Sequence, residues 1–149
     1  MEQRESIKSP FQMRDWRIIH LNYNNPIFAL NPETDVQWEI EVNKEFEHAD
    51  DQDFYTGTIR LEFTATIPQE DRTMALTGVM ISLFTYDGDK SDENDRHMNQ
   101  MLKINGLTYC LGMLRSFISS QSDLLGLRKR LIFPSINLYN IRFNEKISL

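Results

Sequence analysis

Along much of the first half of the chain, apolar and polar side chains alternate. Val36, Trp38, Ile40 and Val42 interleave with Gln37, Glu39, Glu41 and Asn43, and a period of two is the signature of a half-buried strand. The next run is stricter. Tyr55, Ile59, Leu61, Phe63, Ala65 and Ile67 face one way, while Thr56, Thr58, Arg60, Glu62, Thr64 and Thr66 face the other, which predicts a half-solvated antiparallel sheet. The acidic stretch 47–53 joins the two. Residues 14–23 predict an earlier strand that is apolar on both sides at its start, with Ile19, Leu21 and Tyr23 on one face and Trp16 and Ile18 on the other. A fourth strand over 74–86 sets Leu76, Met80 and Phe84 against Val79, Ile81 and Leu83. Both of its faces are expected to be covered, one of them by a partner subunit.

After Asp87-Gly88-Asp89 the period changes to that of a helix. Ser91 is placed as N-cap, with Asp92, Glu93 and Asp95 in a first turn whose charge suits the helix dipole. Leu107, Cys110, Leu111, Leu114, Phe117, Ile118, Gln121, Leu124 and Leu125 follow the i, i+3, i+4 pattern, and Gly126 is placed to end it. Asn105-Gly106 is expected to weaken the first half. Between the first two strands, Asn24, Asn25, Pro26 and Pro32 punctuate the short apolar link Ile27-Phe28-Ala29-Leu30, which reads as a crossover because proline cannot donate to a central ladder. The order is therefore α+β, a four-stranded antiparallel sheet followed by a long helix. Residues 1–12 lack an apolar period and read as a flexible tail, leaving 13–149 as a single domain.

The 149 residues suffice for one domain that buries about two thirds of its unfolded surface. The net charge of −6 opposes attraction to phosphate backbones and anionic lipid, so neither nucleic acid nor membrane is expected as a partner. The most apolar stretch, 107–127, is interrupted by Arg115, Ser119, Ser120, Gln121 and Asp123 and does not read as a membrane span. Cys110 is the only cysteine and no signal-like start is present, which together read as a cytoplasmic chain.

Residues that could carry chemistry are sparse. His20, His48 and His97 have no Cys or His at metal-ligand spacing. Asp87 to Asp95 resembles a calcium loop, but Asp92 and Met98 stand where Gly and Glu are required. Glu45, Glu47, Asp50, Asp51 and Asp53 read as a solvated loop, and Arg128-Lys129-Arg130 as solvated charges that suit the negative end of the helix. Cys110, between Leu107 and Leu114, is expected to be buried and inert. No phosphate loop or serine elbow is present. A binding protein without metal or cofactor is expected, not an enzyme.

The order of these elements resembles the SecB family of chaperones over roughly residues 11–141. The resemblance is carried by His20-Leu21-Asn22-Tyr23-Asn24-Asn25-Pro26, similar to the end of the family's first strand and its crossover, and by Phe133-Pro134-Ser135-Ile136-Asn137-Leu138, similar to its Phe-Pro-Gln-Leu-Asn-Leu. Between them, 106–126 resembles the family's main helix, with Arg115 at or within one position of its helix arginine. The resemblance implies an ATP-independent holdase that assembles as a homotetramer, a dimer of dimers, and binds apolar segments of non-native clients. It also implies client-binding grooves beside the crossover and the loop after the helix, here Ile27, Phe28, Leu30, Trp38, Leu131, Ile132 and Phe133.

The departures set the expected partner. Family members that serve the SecA motor carry acidic residues where this chain has His20, Asn24 and Gly78, and they end in a zinc-binding tail that has no counterpart here. These differences argue against SecA and export. They favour the branch that protects an unstable antitoxin in toxin–antitoxin–chaperone systems. The alternatives are a general preprotein export chaperone working with SecA, and an oligomeric scaffold or small-ligand binder whose grooves are filled by its own side chains.

Overall fold

The alternating segments become the long strands of one antiparallel sheet. The computed structural model describes residues 8–24, 35–68, 73–124 and 131–149, and of Asp123 and Leu124 the backbone alone. Within it β1 (Phe11–Asn24), β2 (Gln37–His48), β3 (Phe54–Pro68) and β4 (Thr73–Asp87) are joined by a three-residue β5 (Lys146–Ser148), in the order β1-β4-β3-β2-β5. Consecutive β1 and β2 are separated in the sheet by β4 and β3, as an early crossover demands. The apolar link expected to make that crossover lies outside the described residues. β5 goes beyond the four strands expected; three residues are too few to show a period. β1 begins at Phe11, inside the tail expected to run to residue 12, because the Phe11 ring is buried and stacked on Phe84 with centroids 5.1 Å apart.

One face of the sheet carries the core. From β3, Tyr55, Ile59, Leu61, Phe63, Ala65 and Ile67 are all buried, as are Met74, Leu76, Met80, Phe84 and Tyr86 of β4 and Trp38, Ile40 and Val42 of β2. The strand β1 corrects the two-sided reading of its sequence. Its register against β4 slips between Met13 and Asp15 and again between Ile18 and His20, and the extra residue of a bulge moves the residues after it to the other face. With Ile19 left over in the second slip, Trp16, Ile18, Leu21 and Tyr23 all stand opposite helix-side residues of β4, namely Ser82, Met80, Gly78 and Leu76. The outer side of β1 is then polar: Gln12, Asp15, Arg17, His20, Asn22 and Asn24. Ile19 itself stays 55% exposed, the one apolar side chain of the slip not turned towards the helix side.

β4 is two-sided, as its pattern predicts. Val79, Ile81 and Leu83 are half-buried on the outer face, in register between His20, Arg17 and Asp15 of β1 and Glu62, Arg60 and Thr58 of β3. A shallow cleft of about 130 Å³ opens there, lined by Asp15, Trp16, Arg17, Ile19, Ile81 and Leu83.

The helix face is covered by a rod running without interruption from α1 (Asp92–Met101) through a π-helical stretch (Leu102–Gly106) into α2 (Leu107–Leu124). Ser91 caps it as expected, its hydroxyl accepting from the Asn94 N–H at 3.0 Å. Met98, Leu102, Gly106, Cys110, Leu114, Ile118 and Ser122 are buried, one every four residues. In an ideal α-helix each such step drifts by about 40° around the axis, and the wider π turn takes up part of that drift. Gly106 is also where the rod packs tightly on the sheet: a Cβ there would lie 2.9 Å from Ile59 Cδ1 and 3.5 Å from the rings of Phe11 and Phe84. Among the described residues no helix is long and apolar enough to cross a membrane.

Candidate polypeptide-binding surface

Residues 131–134 are held against α2 by three hydrogen bonds. The Leu131 N–H donates to the Ser122 hydroxyl at 2.8 Å, and that hydroxyl donates to the Ile118 carbonyl at 3.0 Å. Arg115 donates from Nε to the Phe133 carbonyl at 3.3 Å and from its terminal nitrogen to that of Pro134 at 3.4 Å. Pinned at both ends, residues 131–133 follow a period of two. Leu131 and Phe133 turn inward and are buried, while Ile132 between them is 70% exposed. Phe133 meets Trp38 edge to face, centroids 5.1 Å apart at 73°, a geometry aromatic rings prefer.

An apolar belt follows along the chain. Val36, Ile136, Leu138, Phe143 and Ile147 are half-buried and pack against the core, and Tyr139 is 79% exposed on a 3₁₀ turn (Leu138–Asn140) capped by the Asn137 side chain. The chain then follows β2 in the antiparallel sense. The Asn144 N–H donates to the Val42 carbonyl and the Leu149 N–H to that of Trp38, both at 2.9 Å, with Ile147 opposite Ile40 between them. Lys44 ties the end of this belt together: its ammonium sits 4.9 Å from the centroid of the Phe143 ring and donates to Asn99 of α1. Burial first, and then the charge of Lys103, lower its pKa.

Of the groove residues expected from sequence, Trp38, Leu131 and Phe133 come together, but as members of the core, and Ile132 stands apart in solvent. Ile27, Phe28 and Leu30 lie outside the described residues. Sequence reasoning missed Ile136, Leu138, Phe143 and Ile147, which fall in short runs with no period; the Phe-Pro-x-Ile-Asn-Leu stretch marked only the first two. The role of Arg115 as the clamp of that stretch was also missed. Of the three positions compared with the family's acidic residues, His20 and Asn24 are exposed on the outer face, whereas Gly78 is buried on the helix side beneath the Phe63 ring. A side chain there would point into the core.

Burial pushes the Cys110 thiol up to about 11, and it donates to Ser82 at 3.2 Å. Among the described residues, no three of His, Cys, Asp and Glu gather as a metal site would require.

No protein-family model matches the sequence. No curated protein matches it either. Solved structures do. A SecB-like chaperone of Mycobacterium tuberculosis, in complex with a ChAD peptide from the HigA1 antitoxin, superposes with a TM-score of 0.60 at 14% identity, covering 85% of this chain and 91% of that one. A protein of unknown function from Streptococcus agalactiae matches with a TM-score of 0.56 at 12% identity, over 84% of this chain and 97% of its own. The chain thus has the SecB-like fold.

Proposed function

We propose that this protein is an ATP-independent holdase that binds exposed apolar segments of non-native polypeptide, with a dedicated client such as the antitoxin of a toxin–antitoxin–chaperone system. The observation that carries this reading is the SecB-like fold, shared with a chaperone that holds an antitoxin peptide. Phe143 and Ile147, half-buried beside β2, support it. A holdase works by burying apolar client surface at about 25 cal/mol per Å², without sequence-specific pairing. Ile132, Tyr139 and the half-buried residues around Trp38 and Phe133 are suited to that task. The reading includes no catalysis, cofactor or metal, and it places the protein in the cytoplasm. It includes self-association, to a dimer or tetramer, as the cover of the outer stripe Val79, Ile81 and Leu83.

Export through SecA is disfavoured by His20 and Asn24 on the exposed sheet face, where an acidic docking surface would be needed. One observation favours a scaffold or small-ligand binder: Trp38, Leu131 and Phe133 are already buried by the chain's own packing. The discriminating experiment is light scattering of a urea-unfolded model protein, and of an antitoxin encoded beside this chain, on dilution into equimolar chaperone. Suppressed scattering is expected, and Ile132→Ser should weaken it several-fold. Unchanged aggregation of both substrates would overturn the holdase in favour of the scaffold.

A further inference from the structure

The β2 edge is occupied by the chain's own C-terminal strand, and that occupant is poorly held. β5 covers β2 only from Trp38 to Val42, through three paired positions and the two flanking backbone bonds. Lys146 and Ser148 are exposed, Leu149 is 43% exposed, and Ile147 alone inserts an apolar side chain, half-buried beside Ile40. The turn into it holds Asn144 at a φ of 64°, a left-handed conformation with a small cost for a residue other than glycine. Beyond Val42, the remainder of β2 up to His48 pairs with β3 on one side and with no strand on the other among the described residues. A strand of three residues is shorter than ordinary strands of about five to six, and such elements open at free energies well below that of global unfolding.

We infer that β5 is an autoinhibitory strand: a tethered stand-in for the client that closes the β2 edge and is displaced by an extended client segment. The inference rests on the holdase reading above. Exchange is favoured because a longer segment can repeat the bonds at Trp38, Ile40 and Val42, place an apolar side chain where Ile147 sits, and continue along Asn43 to His48, which β5 leaves unpaired. Main-chain bonds then supply affinity, and alternate apolar side chains supply selection for extended, β-prone clients. With no client present, β5 shields an edge that would otherwise invite pairing between copies of the chain. Because β5 is tethered, it competes at a high effective concentration and lowers apparent client affinity by the fraction of time the edge is closed.

The test uses the full chain, a form ending at Phe143, and a stapled form, Glu41→Cys with Lys146→Cys, whose side chains stand directly opposite on the outer face. Oxidised glutathione joins the two thiols as a disulfide and dithiothreitol reduces it. The probe is a fluorescein-labelled decapeptide of alternating leucine and threonine with lysine ends, read by anisotropy. The shortened form is expected to bind about tenfold tighter than the full chain, as when a competent state of about one-tenth becomes the whole population. The oxidised staple should bind at least tenfold more weakly than the same protein after reduction. Equal affinity of oxidised and reduced staple overturns autoinhibition and leaves the holdase standing, whether or not the shortened form folds. Weaker binding by a folded shortened form also overturns it, making β5 part of the binding surface. Failure of every form to bind either the peptide or unfolded protein overturns the holdase reading and this inference with it.

Discussion

Ile132 and Phe133 are neighbours in sequence with opposite surroundings. Phe133 is 1% exposed and braced by Trp38. Replacing it with alanine removes a large buried ring, a change that costs about 3–5 kcal/mol where the site cannot collapse. Phe133→Ala is therefore expected to lower the urea midpoint markedly and to take the Trp38 contact with it. Ile132→Ser, on a solvent-facing side chain, should change stability by no more than about 0.5 kcal/mol while reducing client capture. Equilibrium urea unfolding of the two variants checks the contrast. If both are equally destabilised, the inward and outward assignment of this segment is wrong. Gly78 makes the same point about place. Aligned by motif it compares with exposed acidic positions, yet a Cβ there would overlap the Phe63 ring.

At the scale of elements, the start of the rod is fixed by several polar contacts. Ser91 caps it, and its N–H donates to the Tyr55 hydroxyl at 3.2 Å, while that hydroxyl donates to the Asp95 carboxylate at 2.6 Å. Ser91→Ala should cost about 1 kcal/mol, the ordinary value of a lost N-cap, measured by thermal or urea unfolding. The Tyr55 hydrogen bond, and after it the nearby Lys90 ammonium, hold Asp95 below its usual carboxylate range against the opposing effect of desolvation. Burial, with the Asp95 bond behind it, raises the pKa of Tyr55. A carboxylate whose folded pKa is depressed adds stability that is fully present above its unfolded value and is lost as pH falls through the folded one. Stability is therefore expected to fall through the acid range below the ordinary Asp pKa. In Asp95→Asn that limb should be shallower, as read from urea midpoints between about pH 6 and pH 2.5. An unchanged acid limb would remove Asp95 from the account.

For the whole molecule, the packing of rod on sheet is the unit of stability, and Cys110 reports on it from within. The thiol is fully buried between α2 and β4, bonded to Ser82, with its pKa raised to about 11. A thiol-specific disulfide reagent needs the thiolate and access to it. At pH 8, labelling of the native chain should thus be slower than that of the urea-unfolded chain by several orders of magnitude, accelerating with urea in step with global opening. Rapid labelling without denaturant would mean that the rod leaves the sheet by itself. On its outside, the molecule presents two unlike surfaces: a sheet face where one apolar stripe runs between polar and charged neighbours, and a β2 edge closed in part by β5.

The periodicities alone determined the four long strands, the helix, its Ser91 cap and the order that resembles SecB, because each depends on side chains within one or two turns of chain. Asn105-Gly106, expected to weaken the helix, does not break it: the rod runs on there through its π turn. What tertiary structure alone decided was pairing. The two slips that bring Leu21 and Tyr23 to the same side as Trp16 and Ile18 appear only against β4, some sixty residues later. The closing of the β2 edge by β5 and the sinking of Trp38 and Phe133 into the core depend on contacts across about one hundred residues of sequence. A strand of three residues has no period to read, and an aromatic in a short run such as Ile132-Phe133-Pro134 carries no mark of which surface will reach it. Such choices are made by the through-space partners that the folded sheet supplies.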